Sequence, residues 1–312
     1  MPWDLIKLND AGSCAGTSIP SVAYGTWRLG SGDQSVDYVD EAISVGFSHI
    51  DTAQGYGNEA EAGKAIRESG LARKDIYITT KFSNRDGLTI EEAIQSSLKK
   101  LGVDYVDLYL IHWPEYAQPD IPTAWAVMEK LKAQGLTKSI GVSNFEIPHL
   151  ETLINSAKVY PAANQIQIHA YNFHDQLPLI EFGRKYGIVS EGYSPLIPIT
   201  RMPGGPIDKP LNEISSRLNA KPEQVLLAWA KSKGVVVVTS TTKKERMEGY
   251  IAAGDLHLTV EDIAAIDEAG NQGARQQTAR TFIRRAVFMC AVAAIALACV
   301  SLSMDVFLAY KY

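Results

Sequence analysis

The regular alternation of short β-branched runs with amphipathic stretches constrains this chain more than any other feature. Strand candidates lie at Val22–Tyr24, Phe47–Asp51, Ile76–Lys81, Val106–His112, Ser139–Val142, Ala163–Ile168, Ile188–Tyr193 and Val235–Val238. The segments between them repeat apolar residues at helical spacing, a pattern that neither an all-β nor an all-α protein produces. Alternating strand and helix units imply a parallel sheet, since parallel neighbours can be joined only through a crossover. Eight such units favour an α/β fold closed into a (β/α)8 TIM barrel over an open sheet. No GxGxxG follows the early strands, which argues against a dinucleotide-binding Rossmann domain. Ile6–Leu8 and a turn around Gly12 predict a small N-terminal hairpin ahead of the barrel.

The helices carry their own punctuation. Thr89 and Glu92 form a capping box, with Ile90, Ala93, Ile94, Ser97 and Leu98 on one face and Gly102 closing the helix. Ser35 is expected to cap a helix that buries Val36, Val39, Ala42 and Ile43 and ends at Gly46. Thr259 opens another, with Ile263 and Ile266 inward and Gly270 as its stop.

After Gly270 the texture changes. Residues 271–285 are polar and lack apolar periodicity, so they read as a linker. From Ala286 to Met304 there follow 19 residues without a charge, flanked by Arg284 and Arg285 before and by Tyr310, Lys311 and Tyr312 after. A helix of that length matches a bilayer core at about 1.5 Å rise per residue. The expected organisation is therefore a barrel over 1–270, a polar linker over 271–285 and a C-terminal transmembrane tail anchor over 286–304, reaching to about 310. This places the barrel in the cytosol at a membrane, or in the cytoplasm if the tail is not inserted.

Composition excludes other classes. Apolar residues make up 46% and charged residues 21%, as a chain with a sizeable core requires. A net charge of −5 and the absence of a basic run argue against nucleic acid as a partner. Cys14, Cys290 and Cys299 show no paired or metal-type spacing, which suits a reducing compartment, and the histidines lack ligand spacing, so no metal is expected. The first residues, MPWDLIKLND, have neither a basic start nor an apolar core and predict no signal peptide.

Reactive groups in such a barrel belong at the C-terminal ends of its strands. Asp51 ends the second strand candidate, with Tyr56 following in the loop; Lys81 ends the third and His112 the fourth. Singly, each has a plain reading: a helix cap, a packing ring, a solvated strand end, a core histidine. At consecutive strand ends they form a set. A lysine beside a phenol favours the phenolate, lowering the tyrosine pKa, and a carboxylate holds the lysine charged. The set predicts a tyrosine general acid for a developing alkoxide, with His112 as a polarising donor.

The segments GFSHIDTAQGYGNEAEAGKAI, IYITTKF, DYVDLYLIHWP, KSIGVSNF, ANQIQIH and EGYSPL make the chain resemble the aldo-keto reductases, from about Ile6 to Gly270. The resemblance puts the family's catalytic tetrad on Asp51, Tyr56, Lys81 and His112. It implies nicotinamide carboxamide contacts at Ser143, Asn144 and Gln165, a stacking ring at Tyr193, and diphosphate contacts at Ser194 and Leu196. Gly25 and Thr26 fall beside the cofactor, and Trp27 and Trp113, with His112, line the substrate pocket.

The adenine end departs from the family pattern. Ser240 stands where many relatives carry a lysine, followed by Thr241 and Arg246; Lys243 and Lys244 are further sources of charge, and Tyr250 replaces an asparagine. The stretch VTSTTKKER is similar to fungal reductases of α-keto amides and conjugated polyketones. The resemblance implies NADPH, leaves NADH open, and implies a monomeric barrel reducing a small-molecule carbonyl, with compact activated ketones such as α-dicarbonyls expected. The alternative is a cofactor-sensing regulatory subunit of a membrane protein that turns over slowly.

Overall fold

The computed structural model describes residues 3–8 and 17–309. Two short strands, β1 (Leu5–Lys7) and β2 (Ser18–Pro20), pair antiparallel with Ile6 opposite Ile19. Gly12, the expected turn, lies outside the described residues. Eight parallel strands follow: β3 (Val22–Gly25), β4 (His49–Asp51), β5 (Tyr77–Phe82), β6 (Val106–Ile111), β7 (Thr137–Ser143), β8 (Ala163–Gln167), β9 (Val189–Tyr193) and β10 (Val236–Thr239). They close into a barrel in sequence order, β10 returning to β3 with Val237 opposite Val22. All eight expected strands are present, each within two residues of its predicted bounds.

The hairpin fixes which end of the barrel is open. Leu8 and Ile19 are buried together with Leu108, Leu110, Ala163 and Val236, so apolar side chains plug the N-terminal end. The other end, where the strands terminate, carries Asp51, Lys81 and His112. Outside the strands a second, larger core packs the helices, with Trp125, Trp229 and Phe47 almost fully buried.

Of the expected caps, Thr89 and Thr259 are present and Ser35 is not. Thr89 Oγ1 accepts from Glu92 N at 3.2 Å while Glu92 Oε2 accepts from Thr89 N at 2.9 Å, and Gly102 closes the helix at φ 68°. Ser35 is not a cap. The helix Asp33–Ser44 begins earlier, because the Gly32 carbonyl already accepts from Ser35 N at 2.9 Å, and the buried Ser35 hydroxyl has no partner.

Thr259 opens its helix as expected, accepting from Asp262 N at 3.2 Å. Gly270 does not stop it: one helix runs from Val260 to Ala309, through the expected linker 271–285. The reason lies in packing. A Cβ at Gly270 would collide with the carbonyl oxygen of Ala170, and one at Gly273 with the Tyr171 ring. These glycines let the helix backbone lie directly on the barrel, where Arg217 clasps Asp262 at 2.5 Å and Asp267 takes Trp229 Nε1 at 2.8 Å.

Further along, the Phe282, Phe288 and Met289 side chains are exposed. Among the described residues no helix is long and apolar enough to cross a membrane. That overturns the expected tail anchor, its membrane localisation and the membrane as a partner. The stretch 286–304 continues a single helix that begins at Val260 on the barrel and carries Arg275, Arg280, Arg284 and Arg285 ahead of it. Tyr310, Lys311 and Tyr312 lie outside the described residues.

Candidate active site

The open end of the barrel brings together the four residues that consecutive strand ends carry. Lys81 Nζ donates to Asp51 Oδ1 at 2.6 Å and to the Thr52 carbonyl at 2.9 Å, and lies 3.5 Å from the Tyr56 hydroxyl. The lysine is fully buried. Tyr56 is presented by a short 3-10 turn, Gln54–Tyr56, tied to the end of β5 by Gly55 N donating to Ser83 Oγ at 3.1 Å. A side chain at position 55 would sit 2.9 Å from that oxygen, so the turn needs glycine there. His112 follows β6 directly; its Nδ1 is 2.8 Å from Ser83 Oγ, which leaves Nε2 for a ligand.

Burial and charge set the protonation states. Burial depresses the Lys81 ammonium, but Asp51 and Tyr56 outweigh it, and the net shift is upward, so Lys81 stays charged. Burial raises the Tyr56 phenol; Lys81 opposes and Asp51 adds, and the net is again upward. The expectation that Lys81 lowers the tyrosine pKa is thus corrected: its pull is present but smaller than the cost of desolvating a phenolate. His112 is lowered to about 3 by burial and then by Lys81, which makes it a neutral imidazole.

The remaining expected contacts interlock around this centre. Ser143 Oγ donates to the Gln165 carbonyl at 2.7 Å, and Asn144 Nδ2 donates to the His112 carbonyl at 3.0 Å. Tyr193 OH donates to Asn144 Oδ1 at 2.9 Å, which fixes the ring. Asn144 and Ser194 hold left-handed backbones, φ 60° and 59°, a strained conformation for non-glycine residues that clusters at binding sites. Thr26 is buried, its hydroxyl bonded to Thr52 and Asn58, its N–H donating to the Asp51 carbonyl and its own carbonyl accepting from Asn58 Nδ2, so it fixes the rim of the site. Gly25 lies beside Val238 and Thr239, and a Cβ there would already touch Val238. Trp27 and Trp113 are 46% and 41% exposed, apolar rings standing in water at the strand ends.

A cleft of about 330 Å³ extends the site past Leu196, lined on one side by Ile199, Asp208 and Leu211 and on the other by Glu223, Arg246 and Tyr250. The segment after Leu196 walls this cleft with two helices, Ile197–Thr200 and Asp208–Leu218. Ser240 and Thr241 are not part of its lining; the Thr241 carbonyl accepts from Tyr24 OH at 2.7 Å, and Lys244 pairs with Glu41 at 3.8 Å.

Sequence reasoning missed Ser83, Glu191 and the two cleft carboxylates. Glu191 is fully buried in β9, and its Oε2 accepts from Gln165 Nε2 at 2.6 Å. A signal existed: it stands two residues before Tyr193, hence on the same face of the strand. Asp208 and Glu223 come from helices remote in sequence, and nothing local marks them.

Comparison with known proteins agrees with this geometry. The model of the aldo/keto reductase family matches residues 21–198 and 204–271. An NAD/NADP-dependent indole-3-acetaldehyde reductase of Schizosaccharomyces pombe is 40% identical over 280 residues, 86% of this chain and 96% of that protein. The methylglyoxal reductase DkgA of Salmonella typhimurium is 35% identical over 272 residues, 87% and 94% of the two chains. Among solved structures, an aldo-keto reductase of Bombyx mori in complex with NADP superposes with a TM-score of 0.76 at 33% identity, covering 85% of this chain and 92% of that one. An aldo/keto reductase from Brucella melitensis reaches the same TM-score at 39% identity, covering 86% and 99%. The chain belongs to the aldo/keto reductase family. It is an NAD(P)-dependent carbonyl oxidoreductase.

Proposed function

We propose that this chain reduces small activated ketones and aldehydes, α-dicarbonyls foremost, to alcohols with NADPH, and that Asp51, Tyr56, Lys81 and His112 carry the reaction. The observation behind it is the buried Lys81, bonded to Asp51 at 2.6 Å and reaching Tyr56 at 3.5 Å, with a neutral His112 beside the same phenol. Tyr56, kept protonated across neutral pH, gives its proton to the oxygen of the carbonyl as charge grows there. Lys81 stands ready to stabilise the phenolate left behind, and Asp51 keeps that ammonium charged and aimed. His112, through Nε2, donates to the carbonyl oxygen and orients it, its other nitrogen being held by Ser83.

The residues present fit a dinucleotide. Its reduced nicotinamide supplies the hydride when bound. Ser143, Asn144 and Gln165 are assigned to its carboxamide, Tyr193 to the ring face, Gly25 and Thr26 to its flank, and Ser194 and Leu196 to the diphosphate. Contact with Asn144 means sharing a bond that Tyr193 or His112 now holds. Arg246, in the cleft lining, is the cation assigned to a 2′-phosphate; Ser240 and Thr241, outside that lining, are assigned to the adenine end by the family resemblance alone. Asp208 and Glu223 in the same lining temper that preference, so NADH is expected to serve as a weaker reductant.

For the carbonyl, the exposed Trp27 and Trp113 offer apolar walls without enclosure, which favours a compact substrate whose reactivity is built in. The DkgA relatives, named for methylglyoxal, support α-dicarbonyls. The test is a panel of α-dicarbonyls, α-keto amides, simple ketones and aryl aldehydes with both reduced cofactors. Many turnovers on an α-dicarbonyl with NADPH are expected. A single slow turnover across the panel would make the chain a cofactor sensor instead.

A further inference from the structure

Glu191 is a buried carboxyl group that the proposed reaction does not use. It stands in register with Gln165 of the neighbouring strand, and Tyr193 lies one barrel layer above it. Gln165 Nε2 donates at 2.6 Å to Glu191 Oε2 and at 2.8 Å to Asp51 Oδ2. Both hydrogens of that nitrogen are therefore committed, so the amide can face only one way and presents its oxygen to a ligand.

The other oxygen of Glu191, Oε1, is buried and has no hydrogen-bond partner. The charged groups that act on it are Asp51 from β4 and Lys81 from β5, while β10, on its other side, offers only the valines 236–238. Lys81 is the one cation in this set, and Asp51 already holds it at 2.6 Å. A second carboxylate at this depth lacks a counter-ion, and a positive ring held under Tyr193 would provide one.

Resting on the functional reading above, we infer that Glu191 is a positioning residue that senses the charge of the nicotinamide ring through Gln165. It keeps a proton beneath the neutral, reduced ring and releases it beneath the cationic, oxidised ring. Burial and then the Asp51 charge push its carboxyl up to about 7, which sets the exchange in the neutral range. His112, at about 3, does not titrate there, and Tyr56 and Lys81 are both shifted upward, away from it. The oxidised cofactor should thus bind more tightly as pH rises through about 7, while the reduced cofactor does not follow.

The test is the ratio of NADP+ to NADPH affinity for the full chain, from fluorescence titrations spanning roughly 1.5 pH units on either side of neutrality. Taking the ratio cancels the titration of the 2′-phosphate, common to both nucleotides. In the wild type the ratio should favour NADP+ increasingly with pH, by about tenfold for each unit by which the ring lowers the Glu191 pKa. Glu191→Gln keeps an acceptor for Gln165 but cannot ionise, and its ratio should be flat. Should that variant fail to fold, calorimetry of the wild type in buffers of different protonation enthalpy reads the same exchange. NADP+ binding near neutrality should release up to one proton, and NADPH binding none. A flat wild-type ratio, equal proton release, or an undiminished slope in Glu191→Gln would overturn the inference. Binding of neither nucleotide would overturn the functional reading itself, and the inference with it.

Discussion

The imidazole of His112 meets the phenol ring of Tyr56 edge on, with centroids 5.6 Å apart and planes 75° from parallel. The contact is between rings and does not involve the hydroxyl, so it survives the loss of that group. Tyr56→Phe should therefore keep the site's shape and nearly full NADPH affinity while abolishing carbonyl reduction. Steady-state rates and fluorescence titration check this together. Turnover above a small fraction of wild type would remove Tyr56 from the role of acid.

Arg246→Ala bears on the choice of cofactor. The cleft lining would keep the carboxylates of Asp208 and Glu223 and lose the arginine cation. A charge-assisted hydrogen bond contributes roughly 1.5–3 kcal/mol, so NADPH affinity should fall about tenfold or more while NADH affinity changes little. Equal weakening of both would mean that Arg246 holds the adenine or diphosphate. Unchanged binding of both would place the 2′-phosphate elsewhere.

Gly270→Ala sets helix propensity against packing. In a free helix alanine is favoured over glycine by about 1 kcal/mol. Here the added methyl meets the Ala170 carbonyl oxygen, part of a backbone that cannot turn aside. Urea unfolding should show a net loss of roughly 2 kcal/mol, typical of overpacking. A gain in stability would show that the long helix is free to lift from the barrel at this point.

The pH dependence of stability follows from three histidines, His49 and His169 buried and His112 partly so. Burial lowers His49 to about 4, His112 to about 3 and His169 to about 4, each from an ordinary value of 6.5. Depressed pKa values mean that the unfolded chain takes up protons first as acid is added. Their stabilising contribution is complete above about 6.5 and is lost as pH falls towards 4. Glu191, raised to about 7, works the other way: its contribution is full below the ordinary 4.5 and gone above about 7. Three protons taken up less one given off leave two, or about 3 kcal/mol per pH unit between pH 5 and 6. Urea midpoints measured at those two pH values should differ accordingly. Equal midpoints would contradict the neutral state of the histidines.

The barrel strands were legible because each buried strand is a short apolar or β-branched run set off by polar or glycine residues. The clustering of Asp51, Tyr56, Lys81 and His112 is legible because parallel strands put their C-terminal residues on one rim. Caps were legible where a side chain does the capping, as at Thr89, and illegible where the backbone of Gly32 does it. Gly270 reads as a helix stop for a related reason. Glycine ends many helices, but it also permits two backbones to touch, and only the position of Ala170 decides between these. Polar residues inside the barrel, such as Glu191, escape notice because their partners lie on strands distant in sequence. The tail reads as a separate span because its apolar run and flanking charges are local signals, whereas its continuity with the helix that starts at Val260 is not.

Closure of the barrel between β10 and β3 has a consequence for how the chain is made. Val22 finds its partner only in Val237, so while a ribosome is still building the middle of the protein, one side of β3 has nothing to pair with. Until residues 236–239 emerge, an unfinished cylinder presents two open strand edges to its surroundings. Contacts so distant in sequence form slowly, and the growing chain needs its helices, or a chaperone, to keep those edges apart from other nascent chains.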